Sequence, residues 1–277
     1  MLFSKIKTLF KIKRKRISPA VFKEYYFKKR ALEEQISKIK ILAMGSSYCA
    51  QSLNTDLIDD AFNLGTIDQD LYTTHFLFKK YILQIQKLKK LLIFYGVFSP
   101  GHELEKTHSF KKVACYHYVF GIPYNVDYLI QYEKSYLHHL KKIYMNFKSS
   151  TGYLPPDQAF AKKPISAKIR VQSHLKNNQR GTNQTRYLDD IYKICQQRDI
   201  KMYVIIAPVR SDYIKALGDR TDKELYHELF EFANKRKVPV MNAMRHPDFS
   251  DEEFYDCNHL NAKGAIHFTK LVKEFIS

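Results

Sequence analysis

The residues best suited to chemistry are a serine near the start of the chain and an acid–histidine pair near its end. Ser47 follows a short apolar run at 39–44 and a glycine. A serine at a strand-to-helix turn exposes its hydroxyl beside backbone N–H groups, which is typical of a nucleophile with an oxyanion hole. Asp256 and His259 lie three residues apart, so the carboxylate can hold the imidazole tautomer while the other ring nitrogen faces a serine. Together these residue types indicate acyl-transfer chemistry.

Two further features follow apolar runs and offer contacts to a ligand. Asn63, Leu64 and Gly65 close the second run, and a glycine there allows its N–H to face an oxyanion. Arg210 follows the fourth run and is a candidate partner for an anionic substrate group. Each signal alone has a structural alternative: a helix N-cap for the serine turn, a tight turn for the glycine, a surface contact for the Asp–His pair, and an ion pair for the arginine.

Five short apolar runs, separated by segments of helical periodicity, predict the elements that position these residues. The runs cover 39–44, 61–64, 91–95, 202–207 and 238–241. Helices are predicted over 18–38, from a Thr66 and Gln69 capping box to about residue 90, and over 184–198, 221–235 and 262–276, the last with Asn261 as N-cap. This alternation predicts an α/β fold with a doubly wound, five-stranded parallel sheet. Ligands of such sheets bind at the carboxyl ends of the strands, where the serine, the glycine turn and the arginine all fall.

The stretch 97–182 interrupts the alternation and is predicted to be an insertion, largely of helix and loop. Residues 126–147 are rich in Tyr and Lys and predict a helix, whereas Gly, Pro, Ser and Asn predict loops over 149–183. We therefore expect a basic helical extension over 1–38, followed by one α/β domain over 39–277.

In the order and position of its motifs, the chain resembles the SGNH (GDSL-like) hydrolase superfamily, in the variant with Gly-Ser-Ser in the first block. The matching residues are Gly45, Ser46 and Ser47, then Asn63, Leu64 and Gly65, and finally Asp256, Cys257, Asn258 and His259. The resemblance covers about 39–97 and 184–277. It implies a flavodoxin-like sheet, a Ser47 nucleophile, and a His259 general base that Asp256 orients. It also implies that the backbone N–H groups of Ser47 and Gly65 are oxyanion donors.

One block departs from the superfamily pattern, which has Gly-x-Asn-Asp after the third strand. Here the segment 96–99 reads Gly-Val-Phe-Ser, so the Asn that supplies a further oxyanion donor is missing. The loss of one such donor lowers a rate by about 10²–10³-fold. Ser99, His102 or a residue of the insertion would have to replace it. Asn63, Ser99 and Arg210 are the candidate substrate-binding residues.

The charge pattern bears on where the protein acts. The net charge is +18, and the first 30 residues hold eleven Lys or Arg and one Glu, so they contribute +10 and the rest of the chain +8. Leu2, Ile6 and Leu9 lie at helical spacing among lysines, which predicts a basic amphipathic helix whose residues 1–16 contact an anionic membrane surface. A solvated N-terminus is the structural alternative. The sequence has no helix-turn-helix, zinc-finger or RNP-like pattern, which disfavours nucleic acid as a partner.

The composition excludes several other classes of protein. Hydrophobic residues at 45% and aromatic residues at 14% exclude a disordered chain. No apolar run approaches the roughly 18 residues that a membrane span needs. The four cysteines lack a CxxC pattern, so neither a disulfide framework nor a zinc site is predicted, and no metal or cofactor is expected. Without an export signal, the expected location is the cytoplasm, with peripheral contact at the inner membrane face.

The resemblance implies an esterase or O-acyltransferase that works through an acyl-enzyme. Its expected substrate is an O-acylated glycan or a related small-molecule ester, in bacterial surface-polysaccharide biosynthesis. The missing Asn favours a second hypothesis, a binding or scaffold protein at the inner membrane surface that keeps the fold without the catalysis. A basic nucleic-acid-binding protein is the third.

Overall fold

The computed structural model of the protein describes residues 19–107, 110–124, 151–153, 165–180 and 182–277. The basic segment 1–16 and the predicted helix 126–147 lie outside the described residues. Within the described ranges, no helix combines the length and the apolar character needed to cross a membrane.

The centre of the fold is a five-stranded, entirely parallel sheet. Its strands are β1 (Ile41–Met44), β2 (Ala61–Asn63), β3 (Lys90–Phe94), β4 (Lys201–Ile206) and β5 (Val240–Asn242). They lie in the order β2-β1-β3-β4-β5, and every neighbouring pair is parallel. This is the flavodoxin-like strand order of doubly wound folds, and it confirms the predicted fold class.

Helices flank this sheet, so consecutive residues of its central strands are buried. In β3 and β4 every residue after the first is buried, as expected when both faces of a parallel sheet are covered. The helices are α1 (Pro19–Gln35), α2 (Ser47–Ser52), α3 (Leu71–Tyr81), α4 (Phe110–Cys115, followed by a π-helical turn over Tyr116–Phe120), α5 (Ala167–Asn178), α6 (Arg186–Gln197), α7 (Ser211–Leu217), α8 (Asp222–Leu225), α9 (His227–Arg236) and α10 (Ala262–Ile276).

Helix α3 is shorter than predicted, and a different residue caps it. Asp70 is the N-cap, because its carboxylate accepts a hydrogen bond from the Thr73 amide at 2.7 Å. The hydroxyl of Thr66 instead donates to the Gln69 side chain at 3.2 Å, so the predicted capping box does not form. The predicted helix over 66–90 is therefore wrong at both ends.

The loop predicted over 149–183 is wrong at α5. Ser166 caps this helix by accepting a hydrogen bond from the Ile169 amide at 3.4 Å. Val171 and His174, three residues apart, are both buried, so they form one packed face of the helix. The cap and the packed face stabilise a helix in spite of the polar composition of the segment. The helix packs against α7.

Candidate active site

Ser47 is the first residue of α2 and directly follows the turn that ends β1. Gly45 has a φ of +141°, and a Cβ there would lie 2.8 Å from the Phe94 backbone oxygen, so only glycine fits this turn. Ser46 is the N-cap and accepts a hydrogen bond from the Tyr48 amide at 3.4 Å. The capping alternative raised by the sequence thus applies to Ser46, and the hydroxyl of Ser47 is left for other contacts.

The Ser47 hydroxyl meets the imidazole of His259, and that imidazole meets Asp256. Ser47 Oγ lies 2.9 Å from His259 Nε2. His259 Nδ1 lies 3.0 Å from Asp256 Oδ1 and 2.9 Å from Asp256 Oδ2. Residues that are more than 200 positions apart in the sequence therefore form one continuous hydrogen-bonded chain at the carboxyl edge of the sheet.

The Asp256 carboxylate is held in its ionised form. Its Oδ1 accepts hydrogen bonds from the backbone N–H groups of Asn258 and His259, both at 2.9 Å. Burial raises the pKa of Asp256, but the bond from the His259 ring, the Asn258 amide and the charge of Arg170 outweigh burial and lower it to about 2. At neutral pH the carboxylate is thus an acceptor for the His259 Nδ1–H.

This bond assigns the tautomer of His259. With the proton on Nδ1, the neutral ring has Nε2 as its acceptor. Two donors face that nitrogen, the Ser47 hydroxyl at 2.9 Å and the Asn258 Nδ2 at 3.2 Å. The imidazole is therefore oriented as a base toward the serine.

The loop that holds Asp256 and His259 is fixed at two points. Inside it, the Cys257 carbonyl oxygen accepts from the Arg210 amide at 3.0 Å, which joins the loop to the segment that follows β4. After it, Asn261 caps α10 by accepting from the Gly264 amide at 3.0 Å, which confirms the predicted N-cap. The position of the imidazole is thus set by one strand and one helix.

The turn after β2 has a structural role that differs from its predicted one. The Asn63 side chain is fully buried, and its Nδ2 donates to the backbone oxygens of Cys49 at 2.9 Å and Leu53 at 2.8 Å. Its Oδ1 accepts from the Gly65 N–H at 3.0 Å. Asn63 is therefore no substrate contact, and the Gly65 amide, predicted as an oxyanion donor, is bound to a side chain. Gly65 is required for packing, because a Cβ there would lie 2.5 Å from the Cys49 Cβ.

Ser99 and Arg210 also have partners within the fold. The Ser99 hydroxyl is buried and accepts from the Gly96 amide at 2.9 Å, which closes the turn after β3. The Arg210 guanidinium donates through Nε and Nη2 to the Asp212 carboxylate, at 2.9 and 2.8 Å. The ion-pair alternative for Arg210 is thus the one observed, and its guanidinium is occupied by Asp212.

One predicted oxyanion donor remains without a partner. The Ser47 N–H lies at the start of α2 and donates to no other described residue. His102 does not add a second donor in its neutral form, because its Nε2 lies 3.1 Å from the Asp68 carbonyl oxygen and must donate there. The other nitrogen of His102 is then an acceptor.

Helix α5 contributes two residues that sequence reasoning missed. Arg170 Nη2 lies 3.9 Å from Asp256 Oδ2. His174 Nδ1 lies 2.7 Å from the Tyr213 hydroxyl. Burial lowers the pKa of His174 to about 3, and the charge of Arg170 acts in the same direction, so this ring is neutral. Their spacing of four residues was the available signal, but α5 lies in a stretch without superfamily motifs.

The thiols near the serine are poor alternatives as nucleophiles. Cys49 and Cys257 are free and buried. Burial raises the pKa of Cys49 to about 12 and that of Cys257 to about 11, so both are protonated at neutral pH. The serine is thus the nucleophile candidate that has a base beside it.

No protein-family model matches the chain, and no curated protein matches it. In the part of the chain that the structure describes, no three His, Cys, Asp or Glu residues are grouped to hold a metal ion. Any function assigned to the chain therefore has to be argued from the geometry and chemistry of this site.

Proposed function

We propose that this chain is a serine-dependent esterase or O-acyltransferase of the SGNH type, with Ser47 as the residue that carries the acyl group. The observation that carries the proposal is the hydrogen-bonded chain from Ser47 through His259 to Asp256. A serine, a correctly oriented imidazole and an ionised carboxylate are the components of the Ser-His-Asp mechanism.

The reaction begins with attack of Ser47 Oγ on the acyl carbonyl carbon. His259 Nε2 takes the hydroxyl proton as the C–O bond forms, and Asp256 stabilises the resulting imidazolium through Nδ1–H. The imidazolium then protonates the leaving alcohol, which departs and leaves an ester on Ser47. Water or an acceptor hydroxyl, deprotonated by the same imidazole, attacks this ester and restores the serine.

The oxyanion of the tetrahedral intermediate faces the Ser47 N–H. This amide has no partner among the described residues, and it lies at the N-terminus of a helix, where backbone N–H groups favour negative charge. The Gly65 amide can contribute only by exchanging its bond to Asn63.

The superfamily resemblance supports an O-acylated glycan or a related small-molecule ester as the substrate, in bacterial surface-polysaccharide biosynthesis. The basic segment 1–16 supports peripheral contact with the anionic inner face of a membrane. In this proposal the basic segment 1–16 brings the enzyme to its substrate and takes no part in the reaction.

A second candidate function is a binding or scaffold protein that keeps the fold and the Ser47–His259 contact without turnover. The bond between Gly65 N–H and Asn63 Oδ1 favours it, because it leaves one backbone donor for the oxyanion. One missing donor corresponds to about 10²–10³-fold in rate.

Hydrolysis of 4-nitrophenyl acetate by the wild type and Ser47→Ala tests the first proposal. We expect the variant to lose at least about 10³-fold in kcat/KM, because the nucleophile is removed. Ser211→Ala is the control, since the Ser211 hydroxyl bonds to Asp251 at 2.7 Å, and its rate should equal that of the wild type. Equal rates for the wild type and Ser47→Ala would reject the nucleophile, and no rate in either would favour the scaffold.

A further inference from the structure

Arg170 differs from the arginines of similar burial in the described chain. Four arginine side chains are between 26% and 35% exposed. Three of them place a nitrogen 2.8 Å from an aspartate oxygen: Arg210, Arg236 and Arg245. Among the described residues, the Arg170 guanidinium reaches no carboxylate closer than 3.9 Å, and its buried Nε has no hydrogen-bond partner. Arg170 thus lacks the close carboxylate partner that the other three have.

The nearest carboxylate does not satisfy this guanidinium. Asp256 Oδ1 accepts from two backbone amides, and both of its oxygens face the His259 ring. Turning the carboxylate toward Arg170 would break the contact that orients His259. A buried charged donor without an acceptor costs free energy, because it has lost water without gaining a partner. An incoming anion at this position would remove that cost.

Helix α5 holds Arg170 in place through contacts on both sides of it. At its start, the Cys257 thiol lies 4.0 Å from the Ile165 carbonyl oxygen. One turn after Arg170, the His174 ring bonds to the Tyr213 hydroxyl. At its end, Asn178 Nδ2 donates to the Val97 carbonyl oxygen at 2.6 Å. The guanidinium is therefore presented by a rigid element, which suits a recognition site.

We propose that Arg170 binds a carboxylate or phosphate group on the ester that Ser47 attacks. A guanidinium offers five donors in a planar fork, which matches the oxygens of these two anions. The inference rests on the proposed function and narrows it to esters that carry a negative charge close to the scissile bond. The role predicted for Arg210 thus falls to Arg170, whose guanidinium lies no closer than 3.9 Å to any carboxylate of the described residues.

The charge of Arg170 acts on groups next to the reaction centre. Burial raises the pKa of Tyr48, the neighbour of Ser47, and Arg170 opposes that rise. Arg170 also lowers the pKa of Asp256. An anion bound to Arg170, whose Nη2 lies 3.9 Å from Asp256, would therefore be close to the proposed catalytic carboxylate.

The kinetic test compares a neutral ester with an anionic one. We expect Arg170→Met to lose about 10–100-fold in kcat/KM for 4-nitrophenyl hydrogen succinate, through KM, because charge-assisted hydrogen bonds are lost. With 4-nitrophenyl acetate, which carries no anionic group, the loss should be at least about 10-fold smaller than with the succinate ester. Arg170→Lys, which keeps the charge and the aliphatic stem, should lie between wild type and Arg170→Met on the anionic ester. Equal losses on both esters, or none on either, would overturn the proposal.

The control for net charge is Arg198→Gln. Arg198 is exposed and follows the last residue of α6, at the opposite edge of the sheet from Ser47. We expect this variant to retain the wild-type preference between the two esters. A loss of preference equal to that of Arg170→Met would show that overall charge, and not Arg170, selects the anion.

A binding test separates failure of this inference from failure of the proposed function. Succinate and inorganic phosphate are titrated calorimetrically onto Ser47→Ala protein, which cannot turn over. We expect one of the two anions to bind. In the same background, Arg170→Met should lower the affinity for that anion at least about 10-fold. Preference for succinate or phosphate then identifies the anionic group. Binding of neither anion, or an affinity that Arg170→Met leaves unchanged, would overturn the role of Arg170 even if the esters are hydrolysed.

Discussion

The turn after β1 and the turn after β2 both place polar side chains at the carboxyl edge of the sheet, but their hydrogen bonds have different destinations. Ser47 bonds to a histidine from the other end of the chain, and its amide has no partner in the part of the chain that the structure describes. Asn63 is fully buried and bonds to three backbone groups within the fold. Both turns lie at a strand end, so position alone does not distinguish them. A turn suited to chemistry keeps polar groups without a partner in the fold, whereas a structural turn uses all of them.

The two turns are nevertheless connected through α2. This helix begins at Ser47, and Asn63 bonds to the Cys49 carbonyl oxygen inside it and to the Leu53 carbonyl oxygen just after it. Lys28 Nζ, fully buried, donates to the Asn63 carbonyl oxygen at 3.2 Å. The turn after β2 thus supports the helix that carries Ser47, and the comparison predicts separate effects on stability and on rate.

The largest expected effect comes from Asp256→Asn. An amide in place of the carboxylate can donate to His259 Nδ1 and so favours the wrong tautomer, and we expect kcat for ester hydrolysis to fall about 10⁴-fold. The asparagine oxygen can still accept the backbone N–H groups of Asn258 and His259, so the urea midpoint should change little.

The matched control for that variant is Asp251→Asn. Asp251 accepts hydrogen bonds from the Ser211 amide and hydroxyl, one through each carboxylate oxygen. Its kcat should remain at the wild-type value. If Asp256→Asn retained full activity, the carboxylate would have no part in the reaction.

Asn63→Ala is expected to act on stability. It leaves the Cys49 and Leu53 carbonyl oxygens and the Gly65 amide without their partner, and we expect the free energy of unfolding to fall by about 3 kcal/mol. Urea denaturation measures this loss. Asn54→Ala, which removes the cap of a short 3₁₀ turn, should lose only about 1 kcal/mol. Equal losses in the two variants would contradict the structural role of Asn63.

His174 predicts a loss of stability in mild acid. Its pKa is about 3 in the folded protein against 6.5 for a free histidine, so the unfolded chain binds the proton first as the pH falls below 6.5. The free energy of unfolding should therefore drop by about 1.4 kcal/mol per pH unit, or about 2 kcal/mol between pH 6.5 and 5. His174→Gln, which does not titrate, should lose correspondingly less.

Urea unfolding at pH 7 and pH 5 checks this pH dependence. His246→Gln is the control, because His246 is partly exposed and its ring, among the described residues, makes its polar contacts with Asp248. This variant should keep the wild-type dependence. The same pH dependence in His174→Gln and in the wild type would show that His174 is not the titrating group.

The smallest effect is expected for Arg210→Gln. Its guanidinium is occupied by Asp212, a pair that is partly exposed to solvent, so the free energy of unfolding should change by under about 1 kcal/mol. Its kcat/KM for 4-nitrophenyl hydrogen succinate should stay within about 3-fold of the wild type. A loss as large as that of Arg170→Met would return the anion-binding role to Arg210.

The sequence was sufficient to predict the sheet and the Ser47, Asp256 and His259 cluster. In a parallel sheet all carboxyl ends lie at one edge, so residues that follow different strands meet there whatever their separation along the chain. The alternation of apolar runs with helical periodicity was enough to place that edge.

Other features depended on contacts that no local pattern contains. Whether the Gly65 amide is free is decided by the orientation of the Asn63 side chain, and whether Arg210 is free is decided by Asp212. Helix α5 has a polar composition, and it is stabilised by packing against α7 that is invisible in its own sequence. Arg170 could not be placed beside Asp256 before that packing was known.

The most direct test of the account is labelling of the folded protein with a fluorophosphonate, followed by peptide mass spectrometry. A serine activated by His259 should form a covalent phosphonate ester at Ser47, and Asp256→Asn should label far more slowly while remaining folded. Labelling confined to Ser47 is the predicted result. No adduct on Ser47 in folded wild-type protein, or equal labelling of wild type and Asp256→Asn, would contradict the account.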